Sequence, residues 1–301
     1  MLITLFHQQN QFFNFRFIFK VGEAEGGEGG EGTEGEEGEE GEAEAEAEGG
    51  AVEEGEAGVV GAQERIRDEM VLSEIQKKVS ERSPLTEAEI ATALRYIKEK
   101  PAILKGALFP EKMNLSGADF SGADLSGADL FGANLLDTDF LGAKLAGTCF
   151  CHATLVRVNF SGADLLGVDF TSVTFVGANF FNASLFNAKF FQANCRNTSF
   201  REAKLTRVNF IRAKFLGSDF SDANLFQTDL SGADLTKAFF IKAILDHTIF
   251  NEYTIFGETD FSKAEFISVE GLHDWLTAEL LTTQLLSAEK IARLKAKWER
   301  E

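Results

Sequence analysis

Cysteine is scarce in this sequence. Three residues in 301 (Cys149, Cys151 and Cys195) form no disulfide framework and point to a reducing, cytoplasmic compartment. Long apolar runs are missing as well: nowhere do about eighteen apolar residues follow one another, which excludes a membrane-spanning helix. Histidine occurs only at positions 7, 152, 247 and 273, none of them beside a nucleophile and a carboxylate in any pattern that suggests catalysis. No glycine-rich phosphate loop is present either, because the glycines follow a repeat of their own. These absences argue against an enzyme and against a cofactor.

Basic residues are absent from residues 21–58, which hold sixteen Glu. The net charge of −19 therefore belongs mainly to this stretch, and residues 111–270 sum to only −6. A segment of Gly, Glu and Ala cannot bury enough apolar surface to offset chain entropy, so residues 21–61 are expected to be a disordered, self-repelling acidic linker of low complexity. It serves either as a solubilising spacer or as a specific acidic arm. Residues 1–20 contain six Phe, Arg16 and Lys20. They lack the basic start and small-residue cleavage site of a signal peptide. They read either as a weak membrane or partner anchor or as the product of a start codon called too early.

Residues 62–112 read as a helical N-terminal cap. In its first helix Ile66, Met70, Val71, Ile75 and Val79 recur at helical spacing and are expected on one buried face. A second helix opens with a capping box, Thr86 with Glu89, presents Ile90, Leu94 and Ile97, and is expected to end at Pro101. Residues 269–301 read as a C-terminal helical cap, with Leu272, Leu276, Leu280 and Leu281 in one helix. Ser287 is the expected N-cap of another, which carries Ile291, Leu294 and Trp298. These helices are expected to cover the end of the central region or to pack on a second copy as a homodimer, and the two are not exclusive.

Between the helices, every fifth residue from Leu115 to Phe250 is bulky and apolar, Cys195 excepted, over twenty-eight units without an insertion. Two residues before each stands a small side chain, from Ala118 and Ala123 through to Thr248. Neither a helix nor a plain strand has period five, so the chain must turn within each unit. Gly117, Gly122, Gly127 and Gly132 sit where a tight turn needs them. Taking every fourth unit, Phe120, Phe140, Phe160, Phe180, Phe200, Phe220 and Phe240 are all Phe, and the column five residues on, Leu125 to Leu245, is all Leu. That segregation implies four units to a coil, with like side chains stacked inside. Seven coils at ~4.8 Å give a rod of roughly 34 Å. After Phe250 the frame slips by one residue and resumes at Phe256, Phe261 and Phe266.

This pattern resembles the pentapeptide-repeat family, with its tandem A-(D/N)-L-x-x motif. The resemblance implies an all-β solenoid over residues 113–268, a right-handed quadrilateral β-helix of about seven to eight coils capped by α-helices at both ends. Terminal helices are expected to cover the unpaired coil edges, which would otherwise polymerise.

The one cluster with metal-ligand character is Cys149-Phe150-Cys151-His152. Adjacent coils would offer it only Asp129, Phe131, Asp169 and Thr171, a poor set for tetrahedral zinc, so surface thiols are expected and no metal. Cys195 takes a core position and is expected to be an inert buried residue. The Asp and Asn residues before each core position are expected to be solvated or to act as local turn partners. With a monotonous interior, specificity must lie outside. Val176, Phe181, Phe186 and Phe191 follow the core positions of one coil, and the next adds Arg196, Arg201, Lys204, Arg207, Arg212 and Lys214 against Glu202. An apolar belt beside a basic belt suggests a footprint for a protein partner, with Val176, Phe181, Phe186, Phe191, Arg196, Arg201, Arg207 and Arg212 as the candidate contacts. The alternative is packing within the coil wall, and the basic coil could instead dock the chain's own acidic stretch. Six cations on a net acidic body with no stacking platform make nucleic acid a poor fit. The resemblance also implies a rival role. Some family members are acidic rods that mimic duplex DNA, bind DNA gyrase and protect it from quinolones, and Asp119, Asp124, Asp129, Asp137 and Asp139 keep that reading open against a scaffold or adaptor.

Overall fold

The computed structural model describes residues 53–267 and 269. The chain divides into two compact units, Met1–Gly58 and Val59–Glu301. Of the first, residues 53–58 are described, and they are helical. The Phe-rich residues 1–20, most of the acidic stretch and the expected C-terminal helices lie outside the described residues.

Helix α1 spans Glu53–Ser80 and α2 spans Glu87–Tyr96. The first takes in the last nine residues, 53–61, of the stretch read as an unstructured linker, although three of them are Gly and two Val. Its buried face also differs from expectation. Ile66 and Met70 are exposed, while Asp68, Leu72 and Ile75 are buried, with Val71 and Val79 packed against the core. The turn of the helix is set by Asp68, whose carboxylate accepts hydrogen bonds from Arg95 at 2.8 Å and the Tyr96 hydroxyl at 2.9 Å. This paired acid lies on the buried face, at a position outside the expected apolar set. In α2 the capping box forms as expected: Thr86 N–H donates to Glu89 Oε2 at 2.7 Å and Glu89 N–H to Thr86 Oγ1 at 3.3 Å. Ile90 and Ile97 are buried. The helix ends at Tyr96, ahead of Pro101, in a series of turns.

From residue 114 the chain coils. Parallel pairing joins residues twenty apart, Asn114 to Asn134, Asp119 to Asp139, Asp124 to Lys144 and onward. Backbone bonds run both ways along each column, as in Phe120 N–H to Asp139 O and Asp139 N–H to Ala118 O. Where the pairing lengthens it forms β1 (Thr154–Val156), β2 (Thr174–Val176) and β3 (Asn194–Arg196), a parallel sheet in register. Near the end β4 (Ile244–Leu245) pairs with β5 (Glu265–Phe266), now twenty-one residues apart. The slip after Phe250 is thus a single inserted residue. Asn251 Oδ1 secures it by accepting from Gly232 N–H and Tyr253 N–H.

Two positions of each unit face inward. The bulky residue is buried from Leu115 to Phe261, and so is the small residue two before it, Ala118 excepted. The Phe column is a stack: Phe120, Phe140, Phe160, Phe180, Phe200, Phe220 and Phe240 have successive centroids 4.6–5.1 Å apart and nearly parallel rings. A second Phe column lies across the interior and meets the first edge-on, as Phe140 and Phe150 do at 5.8 Å. Where Thr replaces Ala at the small position, its hydroxyl is not left dry. Thr138, Thr148, Thr228 and Thr248 donate to the carbonyls of Leu115, Leu125, Leu205 and Leu225 one coil back.

The first coil is not an open edge. Residues 101–109 run beside it, with Asp124 N–H bonding Pro101 O, Phe109 N–H bonding Asp129 O, and Leu85 N–H bonding Leu108 O beyond. Leu85, Ile90, Ile103 and Leu104 join the same core as Leu115 and Phe120. Among the described residues no helix is long and apolar enough to cross a membrane.

Candidate functional site

The three remaining positions of each unit point outward, and one turn geometry fixes them all. The second residue after the core position has positive φ in unit after unit. Glycine is used at Gly117, Gly122 and Gly127, but so are Arg157, Asn182, Arg207 and Arg212. A side chain there accepts left-handed strain of about 1–2 kcal/mol, less for Asn and Asp. The residue before the core position closes the same turn. Asp119, Asp124, Asp139, Asp169 and Asp219 each accept, through Oδ1, the backbone N–H two residues on, at 2.8–3.0 Å. The recurrent carboxylates are therefore turn acceptors and not acid–base pairs. Burial would raise the Asp124 carboxyl, but hydrogen bonds from Ser126 and Lys105 outweigh it and hold the group below the ordinary range.

Ion pairs cross between neighbouring coils. Arg157 grips Asp137 with two bonds of 2.6 Å, and Lys98 and Lys105 reach Asp119 and Asp124 at 2.9 and 3.3 Å. The Arg157 guanidinium keeps the Asp137 carboxyl below its usual value.

The expected contact residues divide. Val176 and Phe181 are 40% and 41% exposed, whereas Phe186 and Phe191 are half-buried. The Arg207 guanidinium lies 5.8 Å from the Phe186 ring centroid and covers part of it. Arg196, Arg201, Arg207 and Arg212 are all exposed. Residues five apart occupy successive sides of the coil, so neither set forms one flat patch and each is a girdle round four sides. Along a side, however, the two girdles meet. Val176 pairs in register with Arg196, and Phe181 has Arg201 one coil on, at the next corner. Among the described residues Arg201 has only a distant carboxylate, Asp219 at 3.9 Å, and Arg196 has none within 4 Å. The structure thus brings together Val176, Phe181, Arg196 and Arg201 on two adjacent sides, with Phe186 and Phe191 on the other two.

Cys149 and Cys151 flank the inward Phe150, and their Sγ atoms lie 3.0 Å apart. Burial, together with the hydrogen bond to Cys149, pushes the Cys151 thiol up to about 12. His152 packs its ring against Phe131, with centroids 5.3 Å apart. Among the described residues no three His, Cys, Asp or Glu side chains converge to hold a metal ion. Cys195 is fully buried, and burial raises its thiol well above the usual value. Sequence reasoning passed over the exposed apolar residues Leu141, Phe239, Tyr253 and Ile255, and the contact between the two sulfurs; the spacing of Cys149 and Cys151 was the available signal for the latter.

The family described as pentapeptide repeats (8 copies) matches at residues 114–150, 149–187, 183–222 and 215–251. No protein of curated function matches the chain. Among solved structures it is similar to HetL, a pentapeptide repeat protein involved in heterocyst differentiation regulation from the cyanobacterium Nostoc sp. strain PCC 7120, at 21% identity over 62% of this chain and 96% of that one, TM-score 0.30. It is similar to QnrB1, a plasmid-mediated fluoroquinolone resistance protein, at 19% identity over 62% and 92%, TM-score 0.40. A pentapeptide repeat protein from the Arabidopsis thaliana thylakoid lumen matches at 29% identity over 40% and 75%, TM-score 0.28.

Proposed function

Since residues 114–251 place the chain in the pentapeptide-repeat family, we propose that it is a non-catalytic scaffold or adaptor, working in the cytoplasm, that binds a protein partner through the outer surface of its β-helix. The observation that carries this reading is the corner where exposed Val176 and Phe181 lie one coil from Arg196 and Arg201. The occupant it fits is a protein surface offering an apolar side chain with a carboxylate about one coil spacing away, ~4.8 Å. In this reading the solenoid has about seven coils, α1, α2 and residues 101–109 cap its first coil, and the C-terminal residues 269–301 cap its last or join two copies.

A duplex-DNA mimic acting on gyrase is the rival. It requires a continuous negative surface, and three of the acids that would begin one, Asp119, Asp124 and Asp137, are paired with Lys98, Lys105 and Arg157. The exposed arginine girdle then interrupts it.

The test is quantitative affinity capture from native lysate with the full chain, beside Val176→Ser/Phe181→Ser and Arg196→Glu/Arg201→Glu variants whose circular dichroism matches wild type. A partner held by wild type and lost from both variants supports the adaptor and its site. Capture indifferent to both variants removes this corner as the contact, and gyrase subunits in the captured set would favour the mimic.

A further inference from the structure

The turn of a coil unit can bring two particular side chains together. The residue before the inward position and the residue after it flank one turn, and in three units their polar ends meet. Ser121 Oγ donates to Asp119 Oδ1 at 2.5 Å, Ser161 Oγ to Asn159 Oδ1 at 2.6 Å, and Thr236 Oγ1 to Asp234 Oδ1 at 2.5 Å. In a single unit of the repeat both places are cysteine, and there the same geometry sets Cys149 Sγ and Cys151 Sγ 3.0 Å apart. That separation is about 1 Å beyond the ~2.0 Å of a disulfide bond. The backbone that carries the thiols is held by the preceding coil. Leu130 N–H bonds Cys149 O, Gly132 N–H bonds Cys151 O, and Cys149 N–H bonds Ala128 O, while Phe150 anchors the turn in the core. Both thiols are partly exposed and within reach of a small reagent, whereas Cys195 is buried and cannot compete.

We propose that Cys149 and Cys151 form a reversible redox modification site, a dithiol that a small-molecule disulfide oxidises to a bridge within the turn. One thiolate attacks a sulfur of the oxidant, for which glutathione disulfide serves as probe, and expels the first reduced thiol to leave a mixed disulfide. The second thiol gives up its proton and attacks the protein sulfur of that adduct, forming the Cys149–Cys151 bond and expelling the second reduced thiol. Two protein thiols are oxidised, one disulfide oxidant is reduced, and the two protons leave on the released thiols. The raised Cys151 thiol keeps its proton near neutral pH, so the exchange accelerates as pH rises.

The full chain is equilibrated across a series of glutathione redox buffers, quenched, alkylated after unfolding and digested with trypsin. Cleavage after Lys144, Arg157, Lys189 and Arg196 gives peptides 145–157, with both cysteines, and 190–196, with Cys195 alone. The expected result is a peptide 145–157 that becomes lighter by two hydrogens and takes up no alkylating agent, reverts with dithiothreitol, and leaves Cys195 fully alkylated. Cys149→Ser and Cys151→Ser should each stop at the glutathione adduct. Serine suits both places, as Ser184 and Ser199 stand at the first and Ser121 and Ser161 at the second in other units. If both wild-type thiols stay alkylatable in the most oxidising buffer, or end as two glutathione adducts or as a bond between chains, the proposal is overturned.

Discussion

Replacing Phe180 by Ala tests whether the stacked interior holds the coil together. Phe180 is fully buried in mid-column, 4.9 Å from Phe160 and 5.0 Å from Phe200, with their rings within 11° of parallel. Phe175 lies edge-on at 5.5 Å. Truncating a buried Phe costs about 3–5 kcal/mol, and the figure depends on how far the site can collapse. Collapse is restricted here, because Phe180 N–H to Ser199 O at 2.7 Å and Asn179 N–H to Val158 O at 2.9 Å tie this unit to the coils on both sides. The rings above and below cannot close in without breaking that ladder. We therefore expect the upper part of the range, about 4–5 kcal/mol. Phe261→Ala should cost less, about 3 kcal/mol, because among the described residues its ring has one stacked partner, Phe240 at 4.9 Å, and its contacts with Phe256 and Phe266 are tilted. Urea unfolding followed by far-ultraviolet circular dichroism gives the totals. Hydrogen exchange at residues 160–200 reports whether opening is local, since repeat arrays need not unfold as one. A loss below about 1.5 kcal/mol at Phe180 would show that the wall relaxes around the gap, and the account of a rigid stacked interior would fail.

Gly122→Ala should cost about 1 kcal/mol in the same melts, since φ is +69° and nothing lies within 4 Å of the new Cβ, so backbone strain acts alone. Arg212→Gly should return a similar amount, and a destabilisation would mean that the arginine side chain contributes more than its turn costs. Thr228→Val should lose about 0.5–1 kcal/mol, because the Leu205 carbonyl that loses the hydroxyl keeps the Val208 N–H; a larger loss would mean that this second bond is too weak to satisfy it. Asp137 has a depressed folded value, so the stability it adds is complete above its ordinary 3.8 and is lost as pH falls through the lower folded value. Carboxyl carbon NMR should show its midpoint rise in Arg157→Gln, and an unchanged midpoint would assign the depression elsewhere.

The coil was legible because its signal is a strict period repeated many times, and because segregation of Phe and Leu by fourth unit exposes the coil length. The inserted residue at 251–256 was equally plain, since one broken interval stands out against so many regular ones. Helix α1 was misread for the opposite reason. Its buried face includes Asp68, whose partners Arg95 and Tyr96 lie 27 and 28 residues away, and no local pattern announces such a pair. The girdles were legible as residues but not as a surface. Phe186 and Phe191 sit in the same sequence position as Phe181, yet an arginine from the next coil half-covers Phe186, a relation visible only once the columns are built. The sulfur contact was hidden because two outward side chains in one unit were read as parallel neighbours, whereas the turn between them folds their ends together.

That turn connects the two proposals. A pentapeptide coil leaves only three outward positions per unit, and the turn makes demands on all of them: an acceptor before the core residue, a neighbour for it after, and a left-handed corner. Asp or Asn, Ser and Gly meet those demands at least cost, as in the first coil. Departures from that set are therefore the informative positions. Cys149 gives up the turn acceptor for a sulfur, and Arg157, Arg207 and Arg212 accept left-handed strain that glycine would avoid. Phe181 exposes a ring where Ser121 and Ser161 bond the turn. These substitutions work against the stability of their own units, and ladder pairing with the coils on both sides can offset them. A surface chosen only for folding would have kept the first coil's residues throughout.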